Sequence, residues 1–261
     1  MRRLKLTLEY DGGAFFGWQV QAKTGERTVQ GVLEEAFARL PGRHGRLRAA
    51  GRTDAGVHAL AMVAHLDSDT PVPDARLQRA LNALLPPDLR VLTVARAPDA
   101  FEAQYHCLWR YYRYRLRLAR GDLRGAALER ARVLYCYREL DLGAMQRAAP
   151  LFEGRRDFAA LATQEARPTV RTVHLCQLAA RGRSLTLHVA ADGFLRGMVR
   201  ALVGTLLAVG EGKLGSEAIE AVLASKVRGR AGENAPPHAL YFAEAGYEPW
   251  SQAVRARLLA S

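Results

Sequence analysis

Asp54 stands beside the cationic Arg52 and between two glycines in the octapeptide Gly51, Arg52, Thr53, Asp54, Ala55, Gly56, Val57, His58. Glycine on both sides lets the backbone take positive φ and lets a large planar group come close to the main chain. A carboxylate placed this way can attack an electrophilic carbon, provided neighbouring cations keep it ionised. The same spacing also describes a surface Asx-turn in which the carboxylate serves its own backbone. The octapeptide alone leaves both readings open.

Two further stretches carry chemistry. Along residues 110–118 a period of two puts Arg110, Tyr112, Tyr114, Leu116 and Leu118 on one face of a strand, and Tyr111, Arg113, Arg115 and Arg117 on the other. A tyrosine on the first face can stack on a base, and its hydroxyl can move a proton. Half-buried strand tyrosines are also ordinary, although arginine interleaved with aromatics is a pattern nucleic-acid-binding sheets use. In residues 192–200, Arg200 falls at about 100° per residue roughly a quarter turn from the centre of an apolar helical stripe. A cation there either meets an anion, for which Asp54 is the candidate, or snorkels its head into water. His58 and His65 read as packing or backbone-bonding residues, since Gly56 between Asp54 and His58 argues against a helical metal pair. Gly12 and Gly13 lack the GK[ST] signature of a phosphate loop.

Behind these residues the hydropathy pattern lays out the elements that must hold them. Leu4, Leu6, Leu8 and Tyr10 alternate as a strand ending at Asp11, Gly12 and Gly13. Thr28 caps a helix carrying Val29, Val32, Leu33, Ala36, Phe37 and Leu40. Short strands are expected near 46–50 and 62–66 with the Asp54 turn between them, then a helix capped by Asp74 that stops before Pro86, then a strand near 90–95. This half reads βαββαβ. The second half repeats the order: a strand over 109–118, a helix near 141–152, strands near 172–178 and 185–191, helices near 194–209 and 216–225, and a closing strand near 240–247. The expected fold is α+β, two tandem split-βαβ (ferredoxin-like) halves, residues 1–106 and 107–261, each an antiparallel sheet with helices on one face and the active-site cleft between the halves. Residues 226–237 read as an exposed connection, and 117–130 and 154–156 as basic loops. No sequence repeat accompanies the repeated element order.

Composition narrows the partner. The 261-residue chain is 49% hydrophobic and carries a formal net charge of +12, mostly from arginine. The guanidinium fork pairs bidentately with phosphate, so nucleic acid is the leading partner class, a GC-rich genome being the plainer source of the arginine preference. The Met1, Arg2, Arg3 start leads straight into a strand, and no apolar run is long enough to cross a bilayer, so a cytoplasmic location without membrane attachment is expected. Cys107, Cys136 and Cys176 are widely spaced and without a CxxC, which argues against a disulfide framework or a zinc site.

At these residues the chain resembles the bacterial tRNA pseudouridine synthase A family along nearly its whole length. The stretches that carry the likeness are YDGGAFFGWQVQ at 10–21, TVQGVLEEA at 28–36, GRTDAGVHA at 51–59, LWRYYRY at 108–114, FEGRRDF at 152–158, DGFLRGMVRALVG at 192–204 and APPHAL at 235–240. The resemblance implies isomerisation of uridine to pseudouridine at positions 38, 39 and 40 of the tRNA anticodon stem-loop, by a homodimer, without cofactor or metal. It assigns the catalytic aspartate to Asp54, the tyrosine at the uracil to Tyr112 and the arginine paired with the aspartate to Arg200. Arg52, Arg110, Tyr114, Arg155 and Arg156 are the expected substrate contacts. The chain departs from the family pattern at Phe101, Glu102, Ala103, Gln104, where an FHAR-like stretch is usual, and at Ala61 and Met62, where the family has Gly and Gln. Two other readings compete: a non-catalytic RNA-binding protein with Asp54 as a turn residue, and a nucleoside or glycoside hydrolase. The latter chemistry normally takes two carboxylates, and no second acidic residue stands near the motifs.

Overall fold

The computed structural model describes residues 1–21, 25–163 and 168–260. The chain forms two compact units, Met1–Leu108 with Tyr241–Tyr247, and Trp109–Leu240 with Glu248–Ser261.

In the first unit β1 (Arg2–Tyr10) buries Leu4, Leu6, Leu8 and Tyr10, as its alternation requires. A 3-10 turn at Gly12–Ala14 follows, the Asp11 carboxylate accepting the Gly13 N–H at 3.0 Å. Thr28 caps α1 (Val29–Ala38), its Oγ1 accepting the Gly31 N–H at 3.2 Å. Then come β2 (Arg48–Ala49), β3 (His58–Ser68), α2 (Asp74–Leu84) and β4 (Leu89–Arg96). Asp74 is the first residue of α2 and not its cap: Pro73 holds the cap position, and the Asp74 carboxylate accepts from Arg2 Nε at 2.9 Å. β1 pairs antiparallel with β3 and β4, and β2 pairs antiparallel with β3. β3 therefore lies between β1 and β2, the inserted strand of a split βαβ unit. β3 begins at His58, four residues earlier than expected, so the Asp54 turn feeds directly into it.

The second unit opens with β5 (Trp109–Leu118), followed by β6 (Leu134–Cys136) and α3 (Leu142–Ala148). Asp141 caps α3, and a 3-10 turn containing Pro150 ends the expected 141–152 helix early. β7 (Gly154–Asp157), β8 (Val170–Arg181) and β9 (Ser184–Ala191) complete the antiparallel order β5-β9-β8-β7, with β6 parallel to β5. Residues 154–156 are thus an edge strand and not a loop. α4 (Met198–Gly210) starts four residues later than the apolar pattern suggests, because Gly197 ahead of it is left-handed at φ +74°. After α5 (Ala218–Ser225) the chain makes β10 (Leu240–Gly246) and a last helix, α6 (Gln252–Ala260).

β10 packs with the first unit, parallel to β3 through Tyr241↔His58 and Phe242↔Ala59, although chain order places it in the second half. α6 returns to the second unit: Arg255 forks onto Glu153 at 3.0 and 3.1 Å, and the Leu258 carbonyl meets the Tyr111 hydroxyl at 3.1 Å. The sheet face bearing Tyr111 is therefore covered as well, an addition to the expected one-sided layering. Among the described residues no helix is long and apolar enough to cross a membrane.

Candidate active site

The Asp54 turn is held from the segment that follows β1. Trp18 donates its backbone N–H to the Thr53 carbonyl at 3.1 Å, Gly56 donates to the Phe15 carbonyl at 3.2 Å, and Val57 closes the turn onto the Asp54 carbonyl at 3.2 Å. The Tyr10 and Thr53 hydroxyls are 2.8 Å apart in the interior. Two glycines make this contact possible. A Cβ on Gly17, at φ +82°, would stand 2.5 Å from the Thr53 carbonyl oxygen, and one on Gly12 would stand 2.1 Å from that of Val57. Asp54 itself is half-buried and Arg52 is exposed.

His58 and His65 serve the backbone. The buried His58 turns Nδ1 toward the Gly12 N–H at 3.0 Å and Asp11 Oδ1 at 3.1 Å, and its ring stacks on Tyr241 at 4.8 Å. His65 Nδ1 accepts from the Ala103 N–H at 3.1 Å, and burial holds its imidazole below the ordinary range. Among the described residues no group of three His, Cys, Asp or Glu side chains is arranged to hold a metal ion. All three cysteines are buried thiols. Burial raises the Cys136 thiol to about 11 and the Cys176 thiol further, so neither is a nucleophile at neutral pH.

In the second unit Tyr112 is buried on β5, opposite Val189 of β9, with Phe194 set edge-on to its ring at 5.1 Å. Arg110, two residues before it on the same face, donates to the Asp192 carbonyl at 2.6 Å. Asp192 in turn is tied to β8, its carboxylate accepting the Thr172 N–H at 3.0 Å. Arg200 is half-buried on α4 and donates from Nε to the Ala235 carbonyl at 2.7 Å. Tyr114 requires a correction. It is fully buried, and its hydroxyl donates to the Pro236 carbonyl at 2.9 Å, so it braces the protein's own chain and presents no surface to a substrate. Burial pushes its phenol up, against the pull of Arg200.

The stretch that Tyr114 and Arg200 hold was expected to be an exposed connection. Residues 226–230 are largely so, but 232–236 dock on α4. Gly232 donates to Thr205 Oγ1 at 3.0 Å, and a Cβ on Gly204 would come within 1.7 Å of the Glu233 carbonyl oxygen. Arg228 ties the stretch off through the Gly232 carbonyl at 2.8 Å and Asn234 Oδ1 at 2.9 Å. A sequence holds one sign of this: two glycines, 204 and 232, with no turn to explain the first. On the edge strand Arg155 is exposed, whereas Arg156 is drawn toward the Glu153 carbonyl at 3.2 Å and Glu220 at 3.5 Å.

Comparison with known proteins decides what this framework is. A family model described as tRNA pseudouridine synthase matches residues 7–106 and 148–248. The chain belongs to the tRNA pseudouridine synthase family. It is 45% identical over 251 residues to the tRNA pseudouridine synthase A of Thermus thermophilus, covering 95% of this chain and 97% of that one. The proteins of the same name from Caldicellulosiruptor bescii and Syntrophomonas wolfei are 38% and 40% identical, again over 95% of this chain and 98% or more of theirs. The protein is thus an enzyme of the isomerase class. Glu102 and Met62, two of the residues at which the chain departs from the expected pattern, both pack in the first unit. Glu102 lies 3.3 Å from Arg3, 3.4 Å from His65 and 3.6 Å from Arg48, while Arg3 also forks onto Asp67 at 2.8 and 2.9 Å. Met62 is fully buried on β3 opposite Leu8. Both changes serve the sheet of the first unit.

Proposed function

We propose that this synthase converts uridine to pseudouridine at positions 38, 39 and 40 of the tRNA anticodon stem-loop, acting as a cytoplasmic homodimer. Asp54 is the nucleophile, and Tyr112 and Arg200 are its partners in the reaction. The observation that carries the reading is the Asp54 turn: a half-buried carboxylate on a backbone anchored at Thr53, Gly56 and Val57. A turn whose aspartate only served its own main chain would not need that anchoring.

The reaction breaks the N1–C1′ bond, lets the uracil turn, joins C5 to C1′ and releases the C5 proton. Product and substrate are isomers, so the atoms balance without a co-substrate. A base inside a stem shows neither face, so the nucleotide must be extruded before Asp54 can act on it. Tyr112 stacks on the uracil and relays the proton leaving C5. Arg52, Arg110, Arg155 and Arg156 supply the cationic contacts to the RNA.

Tritium release from tRNA labelled at uridine C5 tests this. The wild-type protein releases tritium with pseudouridine mapping to positions 38–40, and Asp54→Ala releases none. Release that persists in Asp54→Ala rejects the nucleophile, and free uracil among the products would identify a hydrolase instead.

A further inference from the structure

We infer that the hydroxyl pair of Tyr10 and Thr53 positions the catalytic carboxylate, an inference that rests on Asp54 being the nucleophile. Thr53 is the residue immediately before Asp54, and only 6% of it is exposed. Its hydroxyl and its carbonyl face the end of β1 and the segment leading out of it: Oγ1 meets the Tyr10 hydroxyl at 2.8 Å, and the carbonyl accepts the Trp18 N–H at 3.1 Å. Tyr10 is itself 3% exposed and is packed by Phe15 and Trp18, with ring centroids at 6.3 and 6.4 Å. Its hydroxyl therefore sits at a fixed point.

Main-chain contacts hold the turn as well. Phe15 and Trp18 contribute one backbone bond each, and the other end is gripped by close approach of Gly12 to Val57. Those contacts set where the turn lies but survive small rotations of the residue preceding Asp54. The Tyr10–Thr53 bond adds a side-chain contact that fixes Thr53, and with it the direction in which the next Cα–Cβ bond leaves the chain. A carboxylate aimed before the substrate arrives loses no rate to reorganisation, whereas misplacement by about 1 Å can cost a hundredfold. The pair acts on the rate of the chemical step and not on RNA affinity.

Tyr10→Phe and Thr53→Val remove one hydroxyl each at nearly constant shape. Each is expected to lower kcat for tritium release about tenfold with KM for tRNA unchanged, the scale of one unmade buried hydrogen bond. Thr53→Ser keeps the hydroxyl and recovers most of what Thr53→Val loses. The double variant Tyr10→Phe/Thr53→Val loses no more than either single one, because both remove the same bond. Thermal melts of each variant show the protein folded at the assay temperature. The inference is overturned if kcat holds, if KM rises in place of a fall in kcat, if the two losses multiply, or if activity follows the folded fraction. Asp54→Ala is assayed alongside. An active Asp54→Ala removes the underlying reading, whereas a dead Asp54→Ala beside a fully active Tyr10→Phe removes only this inference.

Discussion

Gly204 shows how a residue with no side chain decides where a charged one sits. Its α-carbon faces the Glu233 carbonyl so closely that a methyl group would lie 1.7 Å from the oxygen, and Gly232 returns the contact from the other side. The strand of main chain so docked carries Ala235, whose carbonyl takes Arg200 Nε. Gly204→Ala is expected to cost roughly 1–3 kcal/mol of stability, the scale of overpacking, and to lower activity more than that loss explains, because Arg200 loses its bracket. Urea unfolding and kcat measured on the same preparation check both halves of the statement. Residues like these were the hard part to read from sequence. Asp54 stands out by its glycines and its neighbouring arginine, although the octapeptide alone fits an Asx-turn equally well. Tyr112 and Tyr114 share one face at a spacing of two, and nothing in that period says which one bonds the protein's own chain; only the arrival of Pro236, more than a hundred residues later, does.

At the level of elements, β1 follows from local pattern because its burial is one-sided, and α1 because Thr28 caps it. α6 did not. It buries Val254 and Leu258 only, so it shows no apolar stripe, and its place is set by Arg255 reaching Glu153 and by the Leu258 carbonyl at Tyr111. Beneath that helix Tyr111 also meets His188 Nδ1 at 2.5 Å and Arg113 Nε at 3.1 Å. Burial, with help from Arg113 and Arg181, lowers His188 from the ordinary 6.5 to about 4. Between those values the unfolded chain holds a proton that the folded chain refuses. Stability present above pH 6.5 is therefore lost as the pH falls toward 4, by on the order of 2 kcal/mol from this group. Thermal midpoints at pH 7.5 and 5.0 should separate in the wild type. His188→Gln should narrow the gap, the remainder belonging to His65 and His174, which burial also depresses. Asp157 lies outside this window: the Lys226 and Thr169 contacts hold it near about 2, so its contribution goes only in stronger acid.

Over the whole molecule the net charge of +12 is a term in RNA binding independent of the chemistry. Much of the arginine is spoken for. In the stretch 117–130, Arg124 forks onto Asp122, Arg120 meets Glu139 and Arg117 meets Glu129. Arg155 is exposed on the edge strand, while Arg156 is partly engaged by Glu220. Arg155→Ala should weaken tRNA binding and flatten the plot of log affinity against log salt by about one unit of slope, Arg156→Ala by less, and Asp54→Asn should leave affinity nearly unchanged. Filter binding across a salt series reads all three, and equal losses in the aspartate and arginine variants would contradict this division. Net charge was legible from composition. Which arginines remain available was not, since that depends on acidic residues brought in by the fold.

The placement of β10 sets a timetable for synthesis. When a ribosome has released residues 1–108, His58 and Ala59 at the head of β3 still lack the β10 side of their pairing, because Tyr241 and Phe242 are more than a hundred residues from being made. A nascent first unit thus carries an open sheet edge next to the Asp54 turn, a place where foreign strands can add. A product cut short before residue 241 keeps that edge open and is expected to aggregate.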